Sequence, residues 1–106
     1  MLFLVIARHA PGFAPMPPQQ ELALIRAAVE TWAGNPKTKA VYGFAGERAG
    51  CAIIEADSAA ELNRSVVVNP GGGLFDYEIH SLMTAQEIVA GLTEVEKLLA
   101  QMMPAP

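Results

Sequence analysis

Apolar residues recur along this chain with two different periods, and each switch between them marks an element. Residues 1–8 (Met1-Leu2-Phe3-Leu4-Val5-Ile6-Ala7-Arg8) are apolar almost throughout and rich in β-branched and aromatic side chains. Such a run predicts a strand buried on both faces. From residue 19 the period lengthens. Leu22, Ile25, Val29 and Trp32 are spaced by three, four and three, which is one face of a helix over 19–33. Gly34-Asn35-Pro36 ends it, because the residue before a proline is pushed out of helical backbone. Residues 38–45, with Val41, Tyr42 and Phe44, return to strand character. Residues 46–50 read as a hairpin loop, and 51–56 as the third strand.

The second half opens on a capping box. Ser58 accepts a free backbone N–H and Glu61 reaches back. Leu62, Val66 and Val67 give that helix its apolar side, and Asn69-Pro70-Gly71-Gly72-Gly73 breaks it. Residues 74–82 form the fourth strand. Thr84 and Glu87 make a second capping box, and behind it Ile88, Leu92, Val95 and Leu99 line one face of a long third helix. That stripe predicts a helix docked on the domain. The order is β-α-β-β-α-β-α. Its first six elements are the split βαβ, ferredoxin-like pattern: an α+β domain with a four-stranded antiparallel sheet, two helices on one face and an extra C-terminal helix. The opposite sheet face needs a cover, either the third helix or a second subunit.

Composition bears on that cover. At 106 residues the chain is one domain, 1–106. It is 52% apolar and only 17% charged, against roughly 45–50% and 25% in ordinary soluble domains. Surplus apolar surface on a small sheet predicts a homodimer or higher homo-oligomer, with Leu2, Leu4 and Ile6 turned to a second subunit. The net charge of −4, with no cluster of Lys and Arg, argues against nucleic acid as a partner. The apolar start is too short for a membrane span and has no basic leader, so the expectation is a cytoplasmic protein with no membrane association. Cys51 stands alone, which rules out an internal disulfide and suits a reducing compartment.

Strand alternation collects the candidate chemistry. On the fourth strand, Phe75, Tyr77 and Ile79 share one face, expected to pack on the helices, and Asp76, Glu78 and His80 share the other. On the third, Cys51, Ile53, Glu55 and Asp57 lie together. Glu55, Glu78 and His80 are thus the candidate catalytic groups if they border one cleft. An apolar cleft raises a carboxyl pKa by desolvation, which suits it to accept a proton near neutral pH. On a solvated face the same residues are ordinary surface charges. Arg8, His9 and Tyr42 are the candidate substrate-binding groups. Arg8 either grips a carboxylate through a forked pair or closes a salt bridge at the strand end. His9 stands where the first strand enters a Pro-rich loop, and Tyr42 either donates its hydroxyl or packs. Cys51 has no basic neighbour in sequence and reads as a buried thiol. The glycine run 71–73 precedes a strand and so is not a phosphate loop. His9, His80, Glu55 and Glu78 lack metal-ligand spacing, and no metal or cofactor is expected.

Several of these segments resemble one family. The opening Met1-Leu2-Phe3, the Asp57-Ser58-x-x-Glu61-Leu62-Asn63 segment, the Pro70 turn and the Asp76-x-Glu78-Ile79-x-x-Leu82 strand are similar to muconolactone delta-isomerases, over about residues 1–82. The resemblance implies a dimeric α/β barrel, in which two sheets face each other and enclose a pocket. It also implies cofactor-free proton-transfer isomerisation or cyclisation of a small organic acid or lactone. In the isomerases polar, ionisable residues stand where Leu4 and Ile6 stand here. The alternative is therefore a non-catalytic small-ligand-binding or accessory protein of the same fold.

Overall fold

The computed structural model describes residues 1–10, 16–69 and 74–103. Its elements are β1 (Leu2–His9), α1 (Pro18–Gly34), β2 (Thr38–Gly43), β3 (Ala49–Glu55), α2 (Ala59–Val68), β4 (Phe75–Leu82) and α3 (Ala85–Met102). The strands form one antiparallel sheet ordered β2-β3-β1-β4. This is the ferredoxin-like α+β architecture expected from the element order. The prolines at 11, 15 and 70 and the glycine run 71–73 lie outside the described residues.

The core occupies one sheet face. Phe3 and Val5 of β1, Ala52 and Ile54 of β3, Ala56, and Leu62 and Val66 of α2 form one buried cluster, with Trp32, Val41 and Tyr77 packed against it. Alternation leaves Leu2, Leu4 and Ile6 on the opposite face, where they are only half-buried. Within one chain, then, β1 is buried on one face and not on both. The helical layer also stops short of the sheet edge. Ile79 shares a face with Tyr77, yet it is 43% exposed.

Local chemistry explains the element ends. Pro18 opens α1 at its first turn, where its missing N–H is no loss. The Asn35 side chain beyond α1 accepts the Lys37 N–H at 2.9 Å. Ser58 Oγ accepts the Glu61 N–H at 3.1 Å, but Glu61 caps the Asp57 N–H (2.8 Å) instead of reaching back to Ser58. Thr84 and Glu87 form the full reciprocal box, both bonds 3.1 Å. In the β2–β3 hairpin Gly46 takes φ +85°, a conformation glycine adopts without strain. β3 starts at Ala49, earlier than the sequence suggests, because Gly50 pairs with Gly43.

That pairing depends on the absence of a side chain. A Cβ at Gly50 would lie 2.6 Å from the Tyr42 carbonyl oxygen, a backbone atom that cannot swing aside. Gly50→Ala is expected to destabilise the domain by about 1–3 kcal/mol, the usual scale of overpacking. An unchanged denaturant midpoint would show that the hairpin yields freely.

Glu61 also receives the Lys37 ammonium, tying the α1–β2 connection to the start of α2. That contact, with help from the Asp57 N–H, holds the Glu61 carboxyl below its ordinary 4.5. Lys37 is raised in turn, chiefly by Glu61. A depressed carboxyl stabilises the fold at pH above its unfolded value. That contribution fades as pH falls through the lower folded value. Thermal melts below about pH 4.5 should therefore lose a Tm increment that Glu61→Gln lacks at every pH. Parallel pH profiles for the two chains would show that the pair is idle.

α3 departs most from expectation. It forms where predicted, behind the predicted cap, but none of its residues is buried and it makes no extended contact with the rest of the chain. The radius of gyration is 19.0 Å and the longest dimension 71 Å, against a radius of about 13 Å for a compact chain of this length. Only Met83 and Thr84 separate α3 from β4, and the helix runs away from the sheet as an arm. A hydrophobic stripe reports that a face is apolar; it does not report what covers it.

Candidate functional site

The face of the sheet opposite the helices carries the candidate residues in ordered rows. One row across the strands is Tyr42, Cys51, Ile6 and Glu78, and the next is Ala40, Ile53, Leu4 and His80. A third places Glu55 beside Leu2 and Leu82. Side chains of directly paired residues share a face, so β3 and β1 give this surface an apolar floor of Cys51, Ile53, Leu4 and Ile6. β4 gives it a polar border.

Glu78 is the centre of that border. One carboxylate oxygen lies 3.3 Å from His80 Nε2, and the other lies 3.7 Å from Arg8 Nη1. Arg8 reaches Glu78 diagonally from β1, where it is paired with Asp76. The β2–β3 hairpin steadies Arg8: Glu47 Oε1 is 3.9 Å from its Nε, and the Phe44 ring lies beneath the guanidinium at 5.9 Å. A shallow concavity lined by Ile6, Arg8, His9, Asp76, Tyr77 and Glu78 opens beside this group. Glu78 and His80 are both about half exposed, so a single chain leaves them open to water. A second concavity is formed by the outer face of α1 alone.

The other candidates are placed apart. Glu55 lies on the same face, but two strands away from His80, or roughly 10 Å at the usual strand spacing. Its carboxylate is 3.0 Å from Lys39 Nζ, and that contact holds it below the ordinary carboxylate range. A carboxylate so held is a weaker base. Tyr42 is on the same row as Glu78 but at the far side of the floor, and it is exposed. His9 alternates to the other face, where its Nε2 lies 2.9 Å from Glu21 Oε1. Glu21 also accepts from Arg48 Nη1 at 2.9 Å. His9 is thereby anchored to α1. Cys51 is half-buried and free on the floor.

Sequence reasoning missed Glu47 and Phe44 as supports of Arg8, and Glu21 as the partner of His9. No short-range pattern links them, since hairpin and helix meet β1 only in three dimensions. Asp76 was visible by parity, sharing a face with Glu78. Partial burial raises the Tyr77 phenol on the helix side. Among the described residues, no group of three or more His, Cys, Asp and Glu is placed to hold a metal, and no helix is long and apolar enough to cross a membrane.

The sheet order defines a ferredoxin-like α+β domain with one polar-bordered sheet face left open. Its sequence places it in a family: residues 1–96 match the domain of unknown function DUF3303, and the chain belongs to that family. No curated protein matches it in sequence. Among solved structures, a muconolactone isomerase is similar over 79% of this chain and 90% of its own, with a TM-score of 0.63 and 20% identity. A 5-chloro-2-hydroxyhydroquinone dehydrochlorinase from Burkholderia phenoliruptrix AC1100, in complex with 2,5-dihydroxybenzoquinone, is similar over 81% of this chain and 97% of its own. Its TM-score is 0.56 and its identity 22%. At these identities the likeness concerns the fold.

Proposed function

We propose that this chain is a cofactor-free isomerase or cyclase acting on a small organic acid or lactone, and that it works as a homodimer whose open sheet faces enclose the substrate. The observation that carries this reading is the Arg8–Glu78–His80 cluster at the border of an apolar floor. An apolar floor suits a small ring, and a cationic Arg8 suits its carboxylate or polarised carbonyl. Glu78 accepts a proton from the carbon beside that carbonyl. His80 delivers a proton to the far end of the shifted double bond, and the two groups exchange their protons afterwards. The net change is an isomerisation. Glu55, occupied by Lys39, has no role in it.

The two structural neighbours support small cyclic substrates by their names, a lactone isomerase and a chlorinated hydroquinone dehydrochlorinase bound to a quinone. One observation favours a second reading, a ligand-binding protein without turnover: before Arg8 at its end, the central strand turns only Leu2, Leu4 and Ile6 to the open face. The experiment is a turnover screen of the full-length chain against unsaturated lactones and small cyclic acids, with Glu78→Gln alongside. Turnover abolished by that substitution supports the enzyme. Saturable binding with no product supports the second reading.

A further inference from the structure

We infer that α3 is an assembly arm, and that its occupant is the α3 of a second copy of this chain. This inference stands apart from the chemistry proposed above and needs none of Arg8, Glu78 or His80.

The first ground is the spacing. Ile88, Leu92, Val95, Leu99 and Met102 follow one another by four, three, four and three. That is an unbroken heptad seam, the period at which one helix meets another. The residues beside the seam at its flanking positions are Val89, Gly91, Glu96 and Leu98, so Glu96 alone sets a charge there. Gly91 faces open space in its own chain and permits close approach of another backbone.

The second ground is what lies uncovered. Ile88, Val89, Leu92, Val95, Leu98, Leu99 and Met102 are each 45–78% exposed. A stable dimer needs roughly 800 Å² from each partner, and seven large apolar side chains on one helix are of the size to supply it. The other helices offer far less. Leu22 and Val29 are the exposed large apolar residues of α1, and Val67 and Val68 those of α2. The helical surface elsewhere on a second copy that matches the α3 seam is therefore α3 itself, and a two-fold contact is self-complementary by construction.

The third ground is the helix's own stability. Most helical stability in proteins comes from packing of an apolar face, and this 18-residue helix buries none of its residues in its own chain. A pairing partner supplies the missing support. The seam spans too few heptads to hold two free peptides together. Joined to folded domains, it acts as one contact within an assembly.

The test uses the full chain. Leu92→Glu with Leu99→Glu changes two residues that are more than half exposed and lie outside the buried core cluster, so the sheet and core should remain folded. Sedimentation velocity over a concentration series should show association weakened at least tenfold, or a smaller assembly. Far-ultraviolet circular dichroism should show lost helix. Val95 lies near the middle of α3, where the two copies meet in either orientation. In a Cys51→Ser background, Val95→Cys should therefore form an interchain disulfide under mild oxidation. A parent chain that is monomeric at high micromolar concentration overturns the inference. So does a double variant that assembles like the parent. An assembly in which Val95→Cys does not cross-link places α3 against some other surface and overturns it as well.

Discussion

Truncating Phe3 to Ala is expected to lower the unfolding free energy by about 3–5 kcal/mol. Phe3 is 4% exposed and lies in β1, which has a strand on each side. It pairs with Ile54 on β3 and Ser81 on β4. Its ring belongs to the same cluster as Ile54 and Leu62, the largest fully buried side chains among the described residues. Removing the ring leaves a hole under a sheet that cannot close around it, because β1 is held by ladders on both edges. A domain of this size holds roughly 5–15 kcal/mol in total, so the variant should sit near the edge of folding. Urea unfolding of parent and variant should give a much lower midpoint at a similar slope. Phe3→Leu should lose clearly less, as most of the volume is kept. A Phe3→Ala chain with the parent's midpoint would place the core elsewhere.

The second large effect concerns the border of the open face. Once a substrate is in hand, Glu78→Gln should lower turnover by roughly a hundredfold or more, the scale of a lost acid–base group. The amide keeps the shape and can still bond to His80; it cannot take a proton. His80→Ala should have an effect of similar size. Arg8→Ala should act differently, raising KM more than it lowers kcat, since the proposed role of Arg8 is to hold the substrate and not to move a proton. If Glu78→Gln turns over at the parent's rate, the carboxylate is not the base. Another group then takes the proton.

The sequence carried the skeleton of this fold because each element announces itself locally. Ser58 and Thr84 start α2 and α3 as hydrogen-bond acceptors at helix N-termini. Asn35 and Pro36 stop α1, and Gly46 turns the hairpin. Parity on β4 sorted Tyr77 from Glu78 and His80 correctly, since alternation is a property of any extended chain. Three features were beyond it. Parity puts Ile79 on the packed side, but how far the helices reach is decided by their length and angle. Parity alone makes Glu55 equivalent to Glu78, but Lys39 occupies its carboxylate. The α3 stripe is real, but the domain itself does not cover it.

The two borders of the sheet are not equally guarded. At β2 the ladder is interrupted between Thr38 and Ala40, and Lys37 and Lys39 stand there, engaged with Glu61 and Glu55. A bulge with lysines beside it blocks a foreign strand from adding on. β4 has no such protection. Its eight residues contain neither Lys nor Pro, its register with β1 is unbroken from Leu2↔Leu82 to His9↔Phe75, and among the described residues no strand lies beyond it. Stray strand addition should therefore begin at β4. A lysine placed on its outer border would be the economical way to keep a concentrated preparation from forming fibrils.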